Sequence, residues 1–326
     1  MLTFLKSTIL SVVRTLGYEI LPAHVVAAAQ LSSHALEERM SAAVQAVAAA
    51  EASAAAEAQA RSEASAAAQV ASEDRQRVAD ELSQCKTMRQ IHWQDAVEIE
   101  ALYRQFVFPD LPKREGRAAL LNDLIGTTIS EAIYIIEFLH QALRVPGDIC
   151  EFGVAQGATS RMLATEIILT DRKLWLFDSF EGLPAPGPED RLIDDIFNLG
   201  SMSSYQGTMA SPETEVLDKL AQVQFPRDRT IIKKGWVNEA LKSADLPAHV
   251  AFAYVDFDFY EPIKDALHFL DGVMPAGGQI VVDDYGFFSE GAQLAVDEFV
   301  KAMGGRYSFQ IPLPFAGHFC VLSKLG

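Results

Sequence analysis

Cysteine, long apolar runs and positive charge are all scarce in this sequence, and one long part of it has neither glycine nor proline. The three cysteines, Cys85, Cys150 and Cys320, are odd in number, widely spaced and free of any CxxC or Cys/His metal spacing. Neither a disulfide framework nor a zinc site is indicated, and a reducing, cytoplasmic compartment is the default expectation. No stretch of about 20 apolar residues exists, which excludes a membrane-spanning helix. Lysine and arginine total 27 against 44 acidic residues, for a net charge of −17. Phosphate backbones are bound by clustered basic side chains, so nucleic acid is not an expected partner.

The glycine and proline gap is the sharpest of these absences. Between Pro22 and Pro109 there is neither residue, and residues 27–71 alone contain 21 alanines. Alanine is the best helix former, so 86 residues without a breaker read as one long helix or two end to end over 23–108, not as a compact domain. An alanine-rich rod buries little apolar surface by itself and needs a partner. Val44, Val47, Val70, Val78 and Leu82 are sparse for a heptad seam. Two readings stand at this point, a coiled-coil stalk that makes a homo-oligomer and a partly disordered polar tract. Ahead of it, residues 1–21 place Leu2, Leu5, Ile9, Val12, Val13 and Leu16 on one helical face, with only Lys6 and Arg14 as basic decoration. Such an amphipathic helix suits packing on another subunit or a partner enzyme better than a peripheral membrane contact, for which its polar face is poor in basic residues.

Beyond residue 110 the pattern becomes that of an α/β domain. Ala118–Leu143 is a helical stretch ended by Val145-Pro146-Gly147. Short apolar runs at 149–153, 173–178, 230–233, 250–256 and 279–283 then alternate with helix-length connections. That alternation predicts a doubly wound, mostly parallel sheet. The runs 307–311 and 318–322 have no helix between them and predict an antiparallel hairpin at the sheet edge. Residues 182–226, rich in Gly, Pro, Asp and Ser, form a connection long enough to be a lid or substrate-binding loop, with Met202, Tyr205 and Met209 facing the acceptor.

Chemistry concentrates where the strands end. The first runs into Glu151-Phe-Gly153-Val-Ala-Gln-Gly157-Ala-Thr-Ser160, a glycine turn that is either a ligand-approaching loop or a plain tight strand-to-helix turn. The second ends in Asp178, followed by Ser179, about where an acidic side chain accepts from the two ribose hydroxyls of a nucleoside. An acid before Gly153 and no third glycine for a pyrophosphate favour S-adenosylmethionine over a nicotinamide dinucleotide. The fourth strand ends in Asp256-Phe-Asp258-Phe-Tyr260 and the fifth in Asp283-Asp284-Tyr285-Gly286. Neighbouring strand ends share one crevice, where Asp256, Asp283 and Asp284 would converge. Oxygen ligands alone suit a hard dication, Mg²⁺ first, although Asp after a strand is also a good helix N-cap.

Five ordered segments make this sequence resemble the macrocin O-methyltransferase (TylF-type) family over about residues 110–326. They are Gly147-Asp-Ile-Cys-Glu151-Phe-Gly-Val-Ala-Gln-Gly157, Leu176-Phe-Asp178-Ser-Phe-Glu-Gly182-Leu-Pro184, Lys234-Gly-Trp236-Val-Asn-Glu-Ala-Leu241, Asp256-Phe-Asp258-Phe-Tyr260 and Val282-Asp283-Asp284-Tyr-Gly286. The resemblance implies a class I, Rossmann-like methyltransferase that uses S-adenosylmethionine and Mg²⁺ to methylate a hydroxyl of a sugar, a glycan or a glycosylated natural product. It also implies that Glu151, Gly153 and Gly157 line the methionine end, Asp178 the ribose, and Gly235 and Trp236 the neighbourhood of the adenine. Asp256, Asp283 and Asp284 would hold the metal. The pattern departs in one place: where relatives often carry a histidine proposed as general base, this chain has Gly286-Phe287-Phe288. Asp258, beside Asp256, is the remaining candidate base, because a carboxylate can take a proton from a hydroxyl that a metal has acidified. His249 and His318 read as structural. A non-catalytic, ligand-binding scaffold assembled through the helical stalk is the alternative.

Overall fold

The computed structural model describes residues 23–326, with side chains described outside 23–37 and 84–91. The expected helix over residues 1–21 lies outside the described residues. By its internal packing the chain divides into two units, Met1–Gln84 and Cys85–Gly326.

Helix α1 (Ala23–Phe106) supplies the described part of the first unit. Its large apolar side chains there, Met40, Val44, Val47, Val70, Val78 and Leu82, are 53–67% exposed, so nothing in the first unit covers them. Short-range pairs such as Gln59 to Glu63 and Gln76 to Asp80 support the helix locally. The last turns of α1 belong to the second unit, where Ala96 and Tyr103 are buried in its core. The packed domain therefore begins well before residue 110. Pro109 cannot continue the helix, and the amides of Val107 and Phe108 close it by donating to the Tyr103 carbonyl.

Two helices occupy the stretch expected to hold one. Arg117–Asn122 (α2) and Ile129–Ala142 (α3) are separated by Gly126 in the left-handed region, φ 87°. Thr128 starts α3 as an N-cap, its hydroxyl accepting the Glu131 amide at 3.1 Å.

Five parallel strands follow, β1 (Asp148–Phe152), β2 (Leu174–Asp178), β3 (Thr230–Lys234), β4 (Val250–Val255) and β5 (Gln279–Val282), and then β6 (Tyr307–Gln310) and β7 (Cys320–Lys324). Their spatial order is β3-β2-β1-β4-β5-β7-β6, with β7 antiparallel to both of its neighbours. The doubly wound sheet with its terminal antiparallel pair is as expected. Side chains alternate between two buried faces. Ile149, Leu174, Leu176, Phe252, Tyr254 and Val281 pack with α3 and α4 (Ala158–Ile167) on one side. Cys150, Phe152, Trp175, Phe177, Val255 and Val282 pack with α7 (Tyr260–Val273) and α8 (Glu290–Met303) on the other. Apolar cover on both faces explains why these strands read as unbroken apolar runs.

The 182–226 connection is more ordered than its composition suggests. It contains a 3-10 turn at Met202–Tyr205 and helix α5 (Glu213–Gln222). Leu183, Met202 and Tyr205 form a small separate core with Phe259 and Phe288. The Asp190 carboxylate pins the segment by accepting from the amides of Gly187 and Tyr260, each at 2.8 Å. A four-residue helix, α6 (Val237–Ala240), follows β3.

Candidate functional site

The carboxyl ends of β1, β2, β4 and β5 lie side by side in the sheet, and each is followed by a non-glycine residue in the left-handed region. Ala155 (φ 45°), Phe180 (φ 58°), Asp258 (φ 63°) and Asp284 (φ 57°) are these four. Such conformations cost energy and concentrate at functional sites. Gly153 serves the same edge differently. A Cβ there would sit 1.7 Å from the Asp256 carbonyl oxygen, so glycine is what allows β1 and the end of β4 to approach.

The expected cofactor residues gather around this turn. Asp178 Oδ2 accepts the amides of Val154 (2.7 Å) and Ala155 (2.9 Å), and Oδ1 accepts that of Phe180 (2.6 Å). Its carboxylate thus ties the β1–α4 turn to the end of β2. Ser179 is buried and shapes the next turn, accepting the Glu181 amide and donating to the Gly182 carbonyl. The Gly235 amide donates to the Asp178 carbonyl at 2.9 Å, which brings Gly235 and the 39% exposed Trp236 beside Asp178. Gly157 caps α4 with φ 77°, and its missing Cβ makes room for Val216 of α5. Glu151 lies beneath the turn, almost fully buried, with the Ser160 hydroxyl donating to it at 2.5 Å. Burial raises the Glu151 pKa to about 8.

Carboxylates dominate the other half of the crevice. Oxygens of Asp256, Asp258 and Asp284 lie within 4.8 Å of one another. Asp283 stands apart from that trio: its Oδ1 accepts the Asp284 amide and its Oδ2 the Tyr254 hydroxyl, both at 2.8 Å. The sequence had grouped Asp256 and Asp284 with Asp283, whereas here Asp258 takes the third place because the left-handed residue after β4 turns its side chain back. Burial is the main cause that pushes Asp256, Asp258 and Asp284 well above the usual carboxylate range, reinforced by Asp283 for Asp256 and Asp284 and by Asp256 for Asp258. Half-buried acids this close together cannot all ionise unless a cation joins them. An all-oxygen set at this spacing fits a hard dication such as Mg²⁺.

Two members of the site were not singled out in the sequence. Glu131, from the first turn of α3, is buried with Oε1 3.2 Å from Tyr254 Oη, and burial with nearby Asp283 pushes its carboxyl well up. Tyr254, fully buried on β4, reaches carboxylates from three elements. Period-two alternation puts it on the same face as Asp256, a usable signal; no local pattern singles out Glu131. His318, expected to be structural, stacks on Phe287 with ring centroids 4.6 Å apart, near Asp283, whose carboxyl burial pushes above its usual range against the opposing pull of its hydrogen bonds and of His318. His249 stays at the opposite end of the sheet, its carbonyl accepting the Asp148 amide.

Comparison with known proteins gives a consistent picture. A family model described as Macrocin-O-methyltransferase (TylF) matches residues 133–307. The Streptomyces olivaceus 8-demethyl-8-(2,3-dimethoxy-alpha-L-rhamnosyl)-tetracenomycin-C 4'-O-methyltransferase is 30% identical over 172 residues, covering 52% of this chain and 62% of that protein. The Streptomyces niveus demethyldecarbamoylnovobiocin O-methyltransferase is 30% identical over 158 residues, 48% of this chain and 58% of that protein. Micromonospora griseorubida mycinamicin III 3''-O-methyltransferase is 25% identical over 208 residues, 61% and 80% respectively. The chain thus spans less than two thirds of the length of the first two of these relatives. Among solved structures, the O-methyltransferase NovP matches with a TM-score of 0.53 at 21% identity, covering 73% of this chain and 100% of that one. What that likeness shows is a shared fold.

Proposed function

The chain belongs to the macrocin-O-methyltransferase family, and from that premise we propose that it is an S-adenosylmethionine- and Mg²⁺-dependent O-methyltransferase acting on a hydroxyl of a sugar, glycan or glycosylated small molecule. One observation carries the reading: the turn held by Asp178 and the Asp256, Asp258 and Asp284 oxygens within 4.8 Å of one another occupy the same edge of the sheet. A nucleoside half and a cation half placed edge to edge suit transfer of a group from the first to an oxygen held at the second. The relatives whose names mention a rhamnosyl group and mycinamicin support the glycoside acceptor.

In this reading Glu151, Gly153 and Gly157 form the methionine end, Asp178 and Ser179 the ribose end, and Gly235 and Trp236 the adenine end. S-adenosylmethionine supplies an electrophilic methyl group when bound. Asp256, Asp258 and Asp284 would hold the cation, their oxygens lying within 4.8 Å of one another, while Asp283, the ligand expected from the sequence in place of Asp258, stands behind them on the Asp284 amide and the Tyr254 hydroxyl. Mg²⁺, when bound, supplies Lewis acidity that lowers the pKa of an acceptor hydroxyl. Asp258 is also the carboxylate placed to take the hydroxyl proton, since its oxygen lies within 4.8 Å of those of Asp256 and Asp284. The 182–209 segment, seated on Phe259 and Phe288 through Leu183, Met202 and Tyr205, excludes water from the crevice. The exposed apolar side chains of α1 support assembly with further copies of the chain as part of the same proposal.

The test uses the full chain, calorimetry with S-adenosylhomocysteine and turnover of S-adenosylmethionine over a panel of glycosides. S-adenosylhomocysteine should bind, and methylation should stop in EDTA and return with Mg²⁺. Asp284→Asn should lower kcat by about 100-fold or more while leaving S-adenosylhomocysteine affinity within a few fold. Full activity in EDTA overturns the metal role. Binding without turnover across the panel favours a ligand-binding scaffold instead.

A further inference from the structure

We propose that Tyr254 is a positioning residue for the carboxylate crevice, its hydroxyl setting the orientation of Asp284 through Asp283. The inference rests on the reading of that crevice as a divalent-cation site.

The geometry begins with strand register. Tyr254 of β4 pairs with Val281 of β5, and Asp283, two residues beyond Val281, returns to the same face. Asp256, two residues beyond Tyr254, does so as well. The Tyr254 side chain therefore runs under both strand ends, on the face that α3 covers. Its Oη lies 2.8 Å from Asp283 Oδ2, 3.2 Å from Glu131 Oε1 and 3.4 Å from Asp256 Oδ2. A phenol has one proton to donate, and the shortest of these contacts takes it. Glu131 Oε1 and Asp256 Oδ2 are the longer, competing acceptors on either side.

Asp283 passes the constraint on. With Oδ2 held by Tyr254, its Oδ1 accepts the amide of Asp284 at 2.8 Å. That bond braces the left-handed turn at Asp284, φ 57°, a conformation a non-glycine residue keeps only when its surroundings impose it. The same turn aims the Asp284 carboxylate at Asp256 and Asp258. Tyr254 is thus the first link of a three-part brace, hydroxyl to Asp283 to the backbone of Asp284. Partners that orient ligands in this way are typically worth a factor of about 10–100 in metal affinity.

Manganese binding to the full chain, read as loss of the free Mn²⁺ electron paramagnetic resonance signal, tests the brace without reference to turnover. Tyr254→Phe should weaken Mn²⁺ binding by about 10–100-fold, while melting in EDTA and S-adenosylhomocysteine affinity stay near wild type. In an Asp283→Asn background the same substitution should change Mn²⁺ affinity by less than about threefold, because the link it removes is already broken. Wild-type Mn²⁺ affinity in Tyr254→Phe, or losses that simply multiply in the double variant, overturns the brace and leaves the cation site standing. A wild-type chain that takes up no Mn²⁺ overturns the cation reading and the brace together.

Discussion

At Glu151 the fold holds a carboxylic acid where the sequence places a carboxylate. The group is buried under the β1–α4 turn and its pKa rises from 4.5 to about 8. A raised pKa means the folded state binds this proton more tightly than the unfolded state, so the stability it contributes is full below about pH 4.5 and is lost as pH rises toward 8. Glu151→Gln keeps the shape without the titration. In urea unfolding at pH 5, 6.5 and 8, wild type should fall relative to this variant by up to about 1 kcal/mol per pH unit; a constant difference overturns the assignment. Residues of this kind divide by how they could be read. Asp256, Asp258, Asp283 and Asp284 were legible because each ends an apolar run and strand ends share one edge. Glu131 and Tyr254 meet across 123 positions of sequence, through packing of α3 on the sheet, and no local pattern announces that contact. The left-handed turns that select Asp258 for the trio were equally hidden, since aspartate gives no sign of its φ.

Elements are held together by a buried ion network on the α3 face. Arg117 of α2 is fully buried, forked onto Glu166 of α4 at 2.8 and 2.9 Å, with Glu100 of α1 at 3.0 Å and the Pro112 carbonyl at 2.6 Å completing its contacts. His140 of α3 reaches the same Glu166 at 2.8 Å. Removing one partner of such a set strands the others, so Arg117→Leu should cost about 3–5 kcal/mol in thermal or urea unfolding. Burial opposes ionisation of Glu166, but hydrogen bonds from His140 and Arg117 win and hold it at about 2. A depressed pKa contributes stability above the unfolded value near 4.5 that is lost as pH falls toward 2. Glu166→Gln should remove that acid-range slope, and an unchanged slope counts against the pair. The strands were readable because apolar runs alternate with helix-length segments. The break between α2 and α3 was written in Gly126 and the Thr128 N-cap but masked by apolar residues on both sides. Helix α5 was missed because its ten residues, with only Val216 and Leu220 buried, are a short amphipathic run inside a Gly- and Pro-rich stretch.

At the scale of the whole molecule, the packed unit begins at Cys85, so the long helix is continuous in sequence while its last turns serve a different purpose from the rest. A chain starting at Cys85 should melt cooperatively within a few degrees of the full protein. One starting at Asp110 loses Ala96, Tyr103 and the Glu100 contact to Arg117. At about 3–5 kcal/mol lost and about 2–4 °C per kcal/mol, it should melt about 10 °C lower. Equal melting of the two shortened chains in calorimetry refutes this boundary.

The position of β7 has a consequence for how the chain is made. The last strand in sequence is next to last in space, wedged between β5 and β6. While the protein emerges from the ribosome, β6 is therefore synthesised with no neighbour to pair with, and the edge of β5 stays open until Cys320–Lys324 arrives. Closure of this side of the sheet therefore waits for β7, and the β5 edge and the whole of β6 lack their partner until it is made.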